Sequence, residues 1–193
     1  METTGRPPEL PAGRRIMVVG PSGSGKSKTA VEIGDRLRLP VIELDAIYYL
    51  PNRAEMPRGE FRSTVMKRLA DARDGWVCDG NYTAKVMDVV VQRADTIVWL
   101  RLPFRTVFMR LVRRTIRRAV RREVHWNGNR EPVWWTLCSP NSVVWYTVRA
   151  WRSSPRRIQQ VIAESNGRPR IIVLRSGEEV GRFLDGLLLR AQG

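Results

Sequence analysis

Short apolar runs alternate along this chain with longer stretches in which apolar residues recur at helical spacing. The runs are Arg15–Val19 (RIMVV), Val41–Leu44 (VIEL), Trp76–Cys78 (WVC), Thr96–Leu100 (TIVWL) and Arg170–Leu174 (RIIVL). Bounded by polar, Gly or Pro residues, they predict strands buried on both faces. Helices are predicted over Lys26–Leu37, where Ala30, Ile33 and Leu37 share a face, and over about 60–72, 84–93, 104–124, 155–165 and 178–191. Strand and helix in alternation imply an α/β fold with a parallel sheet covered by helices on both faces.

Two segments break the rhythm. Residues 1–13 are rich in Pro, Gly and polar groups and predict a disordered leader, which leaves 14–193 as a single domain. Residues 123–151 hold Trp126, Trp134, Trp135, Trp145 and Trp151 with Gly128, Pro132 and Pro140. We read them as an inserted lid that packs when it closes, the plainer alternative being extra core.

The 193 residues suit one domain with a sizeable core. No apolar run approaches the length needed to span a bilayer, and the first residues lack the apolar stretch of a signal peptide, so the expected location is the cytoplasm. Cys78 and Cys138 lack the spacing of a zinc site and read as buried thiols, and the lone His125 as a hydrogen-bonding or packing residue. Charge adds more. With 34 Lys and Arg against 19 Asp and Glu, the net charge is +15, which suits anionic partners: nucleotides, phosphorylated metabolites or nucleic acid.

The sharpest motif is Gly20 to Ser27 (GPSGSGKS), which fills the G-x-x-x-x-G-K-[ST] pattern of a P-loop, or Walker A motif, between a predicted strand and a predicted helix. Gly20, Gly23 and Gly25 allow a tight turn that brings backbone N–H groups against phosphate oxygens, and the helix that follows adds a favourable dipole. Pro21, Ser22, Ser24 and Lys28 complete the nucleotide-binding segment. Lys26 is assigned to the β- and γ-phosphates of ATP, and the Ser27 hydroxyl to Mg2+.

Asp45 and Asp79 end predicted strands on the P-loop side of the sheet, where ligands of open α/β sheets bind. A carboxylate there holds magnesium or orients an acceptor hydroxyl; the alternative is a helix cap or turn. Asp79 is assigned to metal and catalysis, and Asp45, with Arg53 and Arg58, to the acceptor. Over Phe104–Val124 an apolar stripe of Phe108, Val112, Ile116 and Ala119 is expected opposite Arg110, Arg113, Arg114, Arg117, Arg118, Arg121 and Arg122. Arg114 and Arg118 are the candidates to stabilise charge on a transferring phosphoryl group; a merely solvated basic face is the alternative.

With GPSGSGKS, LDAIYYLP, WVCDGNY, TIVWLRLP, the arginine helix, WNGNREP and IIVLRSGEEVGRFL in place, the chain from about Arg15 to Leu188 resembles the adenylate-kinase-related P-loop proteins, especially those labelled DNA topology modulation proteins. The resemblance implies a three-layer αβα P-loop NTPase fold of nucleoside-monophosphate-kinase type. It further implies a five-stranded parallel sheet, an ATP site at the P-loop, an acceptor region after the second strand and a closing helical lid. Where adenylate kinases carry Asp-Gly-Phe-Pro-Arg, this chain has Asp79-Gly80-Asn81-Tyr82-Thr83, so the acceptor arginine of that motif is missing.

The leading functional expectation is therefore a kinase that transfers the γ-phosphate of ATP to a small acceptor, a nucleoside monophosphate or another metabolite. The alternatives are a nucleic-acid-associated ATPase or regulator, and a nucleotide-binding protein with little catalysis. No membrane partner is expected.

Overall fold

A computed structural model describes residues 13–51, 54–121, 124–125, 129–130, 148–149, 151, 153–164 and 169–191. The expected leader and most of the expected lid lie outside the described residues, as does Cys138.

In chain order the elements are β1 (Arg15–Val19), α1 (Lys26–Leu37), β2 (Val41–Glu43), α2 (Leu44–Tyr48), α3 (Arg58–Asp71), β3 (Trp76–Asp79), α4 (Met87–Val91), β4 (Thr96–Leu100), α5 (Phe104–Arg121), β5 (Val124–His125), β6 (Asn129–Arg130), α6 (Ser153–Ala163), β7 (Arg170–Leu174) and α7 (Gly177–Ala191). Five strands form one parallel sheet in the order β2-β3-β1-β4-β7. Within the expected lid, β5 and β6 pair antiparallel as a two-stranded ladder and residues 148–149 are helical, the rest of it lying outside the described residues apart from Trp151.

Alternation along β1 sets the layers. Ile16 and Val18 pack on one face with Ala30 and Ile33 of α1 and Phe183, Leu184 and Leu187 of α7. Met17 and Val19 pack on the other with Phe61 and Val65 of α3, Met87 and Val90 of α4, and Ile158 and Ile162 of α6. Ile16, Met17, Val18 and Val19 are all fully buried, which is why the strand reads as a continuous apolar run. Among the described residues no helix is long and apolar enough to cross a membrane.

Two expectations change. Strand β2 stops at Glu43, and Asp45 sits in the first turn of the short helix α2 instead of at a strand end. A three-residue edge strand gives no alternation by which sequence can fix its limit. Among the described side chains of α5, Val107 and Leu111 are buried, while Phe108 and Val112 are only half-buried and Ile116 is 48% exposed. The helix leans its first turns on the P-loop rather than along the sheet, and this choice of face is tertiary. The side chain of Ala119 lies outside the described residues.

Candidate active site

The sequence GPSGSGKS turns from β1 into α1 through three left-handed glycines, Gly20 (φ 152°), Gly23 (φ 87°) and Gly25 (φ 97°). At Gly23 the space is as restrictive as the backbone: an added Cβ would lie 2.7 Å from the Val107 carbonyl oxygen and 3.1 Å from Leu111 Cβ, so α5 closes directly over the loop. Helix α1 begins after Gly25 without a side-chain cap. Its first N–H groups therefore remain available to an anion, the arrangement on which phosphate sites at helix N-termini depend.

Lys26 is the first residue of α1, and its Nζ donates to the Pro21 carbonyl (3.3 Å), folding the side chain back over the loop. Burial of the ammonium group pushes Lys26 below the usual lysine range, the positive charge of Arg114 adds to this, and Asp79 and then Asp45 oppose it. Asp79, the last residue of β3, is 7% exposed and lies beside Val18 in the adjoining strand. Burial holds its carboxyl above the usual range, aided by Asp45 and Glu43, while Lys26 and a hydrogen bond from Ser27 draw it down. Its Oδ1 is buried without a hydrogen-bond partner, and so is Ser24 Oγ. Orphaned buried oxygens are costly in a finished protein interior. Here they adjoin a loop of unfilled donors, so the residues present fit a magnesium–triphosphate group: Ser27 and Asp79 offer the oxygen donors a hard cation takes.

Asn81 has no place in the motif, yet it fixes the loop's first residue. Its Oδ1 accepts the Gly20 N–H at 3.0 Å and its Nδ2 donates to the Gly20 carbonyl at 2.8 Å. The next residue, Tyr82, is held at φ 27°, unusual for a bulky side chain, while its carbonyl accepts the N–H groups of Lys85, Val86 and Met87 at 2.9–3.2 Å. From there the phenol donates to Asp45 Oδ1 at 2.7 Å. Burial, with Asp45 second, pushes the Tyr82 hydroxyl well up, so it stays a donor. The sequence thus places DGNY at the end of β3 so that Asp79, Asn81 and Tyr82 serve metal candidate, loop and acceptor candidate in turn.

The other expected residues are distributed unevenly. Arg114 is half-buried and borders a cavity of about 600 Å³ with Gly23, Gly25, Arg110, Gly177 and Val180, on the outer side of the loop between α1, α5 and α7. Arg110 Nη1 donates to the Ser24 carbonyl (3.4 Å). Lys28 is exposed and turned toward Glu32 (3.8 Å). Arg58 is exposed at the start of α3, and no described hydrogen bond or ion pair links it to Asp45. Arg53 and the side chain of Arg118 lie outside the described residues. Sequence reasoning gave no site role to Asn81 or Tyr82 and placed Arg110 only on the basic face of α5; the polar pair Asn-Tyr directly after a strand-end Asp-Gly was the available signal for the first two.

No protein-family model and no curated protein matches the chain. Solved structures do. The chain is similar to a shikimate kinase from Acinetobacter baumannii in complex with shikimate, with TM-score 0.54, 14% identity and 93% of each chain covered. It is also similar to a shikimate kinase from Bacteroides thetaiotaomicron, with TM-score 0.51, 14% identity and coverage of 93% of this chain and 98% of the other. A gluconokinase from Sinorhizobium meliloti 1021 gives TM-score 0.51, 20% identity and coverage of 92% and 93%. At these identities the likeness establishes the fold alone, a five-stranded parallel sheet flanked by helices on both faces, as in those structures.

Proposed function

We propose that this chain is an ATP-dependent kinase that phosphorylates a hydroxyl group of a small acceptor. The observation that carries the reading is the meeting of Lys26, Ser27 and Asp79 at one sheet edge, with Asp79 Oδ1 buried and unpartnered beside an uncapped helix start.

In this reading the loop from Gly20 to Lys28 wraps the triphosphate, with Lys26 neutralising its outer phosphates and the cavity beside Arg110 and Gly177 receiving the nucleoside. Ser27 and Asp79 hold magnesium, which when bound screens the phosphate charge against an incoming nucleophile. Asp45, oriented by Tyr82, accepts the acceptor's hydroxyl proton while the new O–P bond forms and the bridging O–P bond to ADP breaks. Arg114, and Arg118 one turn further along α5, add positive charge for the transferring group. Arg53 and Arg58 remain candidates for contacts to the acceptor, and residues 123–151 for a lid that excludes water.

The test is ATP consumption and product formation against a panel of hydroxylated metabolites, with Lys26→Ala as control. Transfer in the unsubstituted protein, falling about 10²–10³-fold in the variant, supports the reading. An absence of any ATP-dependent product, or turnover indifferent to Lys26, removes it.

A further inference from the structure

The wall beside Asp45 is aromatic and closes its own charges. Tyr48, Phe61 and Tyr82 form a ring cluster with centroids 4.9–5.1 Å apart, and Tyr49 joins it at 5.1 Å from Tyr48. Arg62, next to Phe61 on α3, is engaged as a fork: Nη1 donates to Asp88 Oδ1 at 2.8 Å, Nη2 to Asp88 Oδ2 at 2.9 Å, and Nη1 also to the Lys85 carbonyl at 2.9 Å. Lys85 is engaged too. Its ammonium lies 3.3 Å from Glu55 Oε2 and 4.0 Å over the Tyr48 ring, and it hydrogen-bonds the Tyr48 hydroxyl, which itself donates to Glu55. Among the described residues no hydrogen bond reaches Asp45 Oδ2.

We propose that this site takes an uncharged, hydroxyl-bearing acceptor, and that the Asp88–Arg62 pair contributes to this specificity by withholding the Arg62 guanidinium from a phosphate ester. The inference rests on the reading of this edge as the acceptor side of a kinase. A planar guanidinium binds one carboxylate or one phosphate face through its fork, and here the fork is filled. A phosphorylated acceptor would have to displace Asp88 to reach that fork and would then stand close to the freed carboxylate. A neutral polyol or nucleoside meets none of this. Its hydroxyl finds Asp45, and its apolar faces find the tyrosine rings.

Matched pairs decide the matter: adenosine with AMP, cytidine with CMP, ribose with ribose 5-phosphate, and glucose with glucose 6-phosphate. Each is titrated calorimetrically into the full chain saturated with a non-hydrolysable ATP analogue. The expected result is binding of at least one unphosphorylated member about tenfold tighter than its phosphate ester. Asp88→Asn, which frees Arg62, should tighten the ester about fivefold with the neutral partner unchanged, and adding Arg62→Gln should cancel that gain. Tighter binding of the ester by the unsubstituted protein, binding of no member of any pair, or esters indifferent to Asp88→Asn in a folded variant would overturn the proposal. The unsubstituted titration decides by itself if that variant does not fold. Phosphoryl transfer is read separately: a bound neutral compound that is never phosphorylated counts against the kinase reading and leaves the specificity, whereas preferred transfer to esters does the reverse.

Discussion

The side-chain amide of Asn81 pairs with both backbone polar groups of Gly20, accepting from its N–H at 3.0 Å and donating to its carbonyl at 2.8 Å across 61 residues of sequence. A residue outside the P-loop motif thereby sets the angle at which the chain leaves β1. Asn81→Ala strands both groups in a partly buried position, at a cost of about 1–3 kcal/mol. We expect a lower melting temperature and about tenfold weaker ATP binding, and Asn81→Asp, which turns a carboxylate oxygen on the Gly20 carbonyl and adds negative charge beside the loop, should weaken ATP at least as much. Calorimetric ATP titration of the two variants checks the order; equal affinity in all three proteins would deny the clamp.

Asp79 predicts a conflict between stability and function. Because burial raises its folded pKa above the ordinary value of 3.8, the folded state binds its proton more tightly than the unfolded chain. Stability is therefore lost as pH rises from that ordinary value through the raised one. Asp79→Asn removes that loss, and the melting temperature at pH 7 should rise to the extent that this gain exceeds the support Asp79 gives to the buried Lys26 ammonium. The advantage should vanish below the ordinary aspartate range. Phosphoryl transfer should fall about 10²-fold at the same time. Thermal melts from pH 3 to 8 beside an activity assay read both halves, on an axis where about 1 pH unit corresponds to 1.4 kcal/mol per proton.

Gly23 and Gly25 separate backbone strain from steric closure. Both are left-handed, yet an added Cβ at Gly25 meets nothing nearer than Arg110 Nη1 at 3.9 Å, whereas at Gly23 it strikes the Val107 carbonyl. Gly25→Ala should cost about 1–2 kcal/mol of folding stability. Gly23→Ala should cost at least about 2 kcal/mol more, because α5 must lift from the loop. Denaturant unfolding gives both values, and equal losses would mean that α5 does not rest on Gly23.

Arg110 borders the 600 Å³ cavity outside the loop while reaching the Ser24 carbonyl. If that cavity receives the nucleoside, Arg110→Met should weaken ATP about fivefold and leave inorganic tripolyphosphate nearly unchanged. Competition binding compares the two ligands. A loss shared by both would place Arg110 on the phosphates instead.

Sequence alone was sufficient for the five strands of the parallel sheet, to within a residue, and for the glycine-rich turn, and the reason is physical. A strand buried on both faces must be apolar throughout, so RIMVV and TIVWL announce themselves, and a phosphate-binding turn requires glycines and Lys-Ser at fixed offsets. The end of β2, the face of α5 and the partners of Asn81 and Arg62 were not legible in the same way. Asp45 read as a strand end because three residues of edge strand carry no alternation. The arginine helix read as burying Phe108, Val112 and Ile116, because periodicity gives a helix's amphipathic direction but not which stripe meets a neighbour.

Composition, periodicity and one local motif thus determined a parallel α/β protein with a glycine-rich turn between its first strand and first helix, since each of those properties is decided within a few residues of chain. Only the tertiary structure decided that Asn81 holds Gly20 and that Asp88 occupies Arg62. Those pairings span 61 and 26 residues, and a hydrogen bond between distant side chains exists only once the sheet order and the helix packing have brought its partners within about 3 Å.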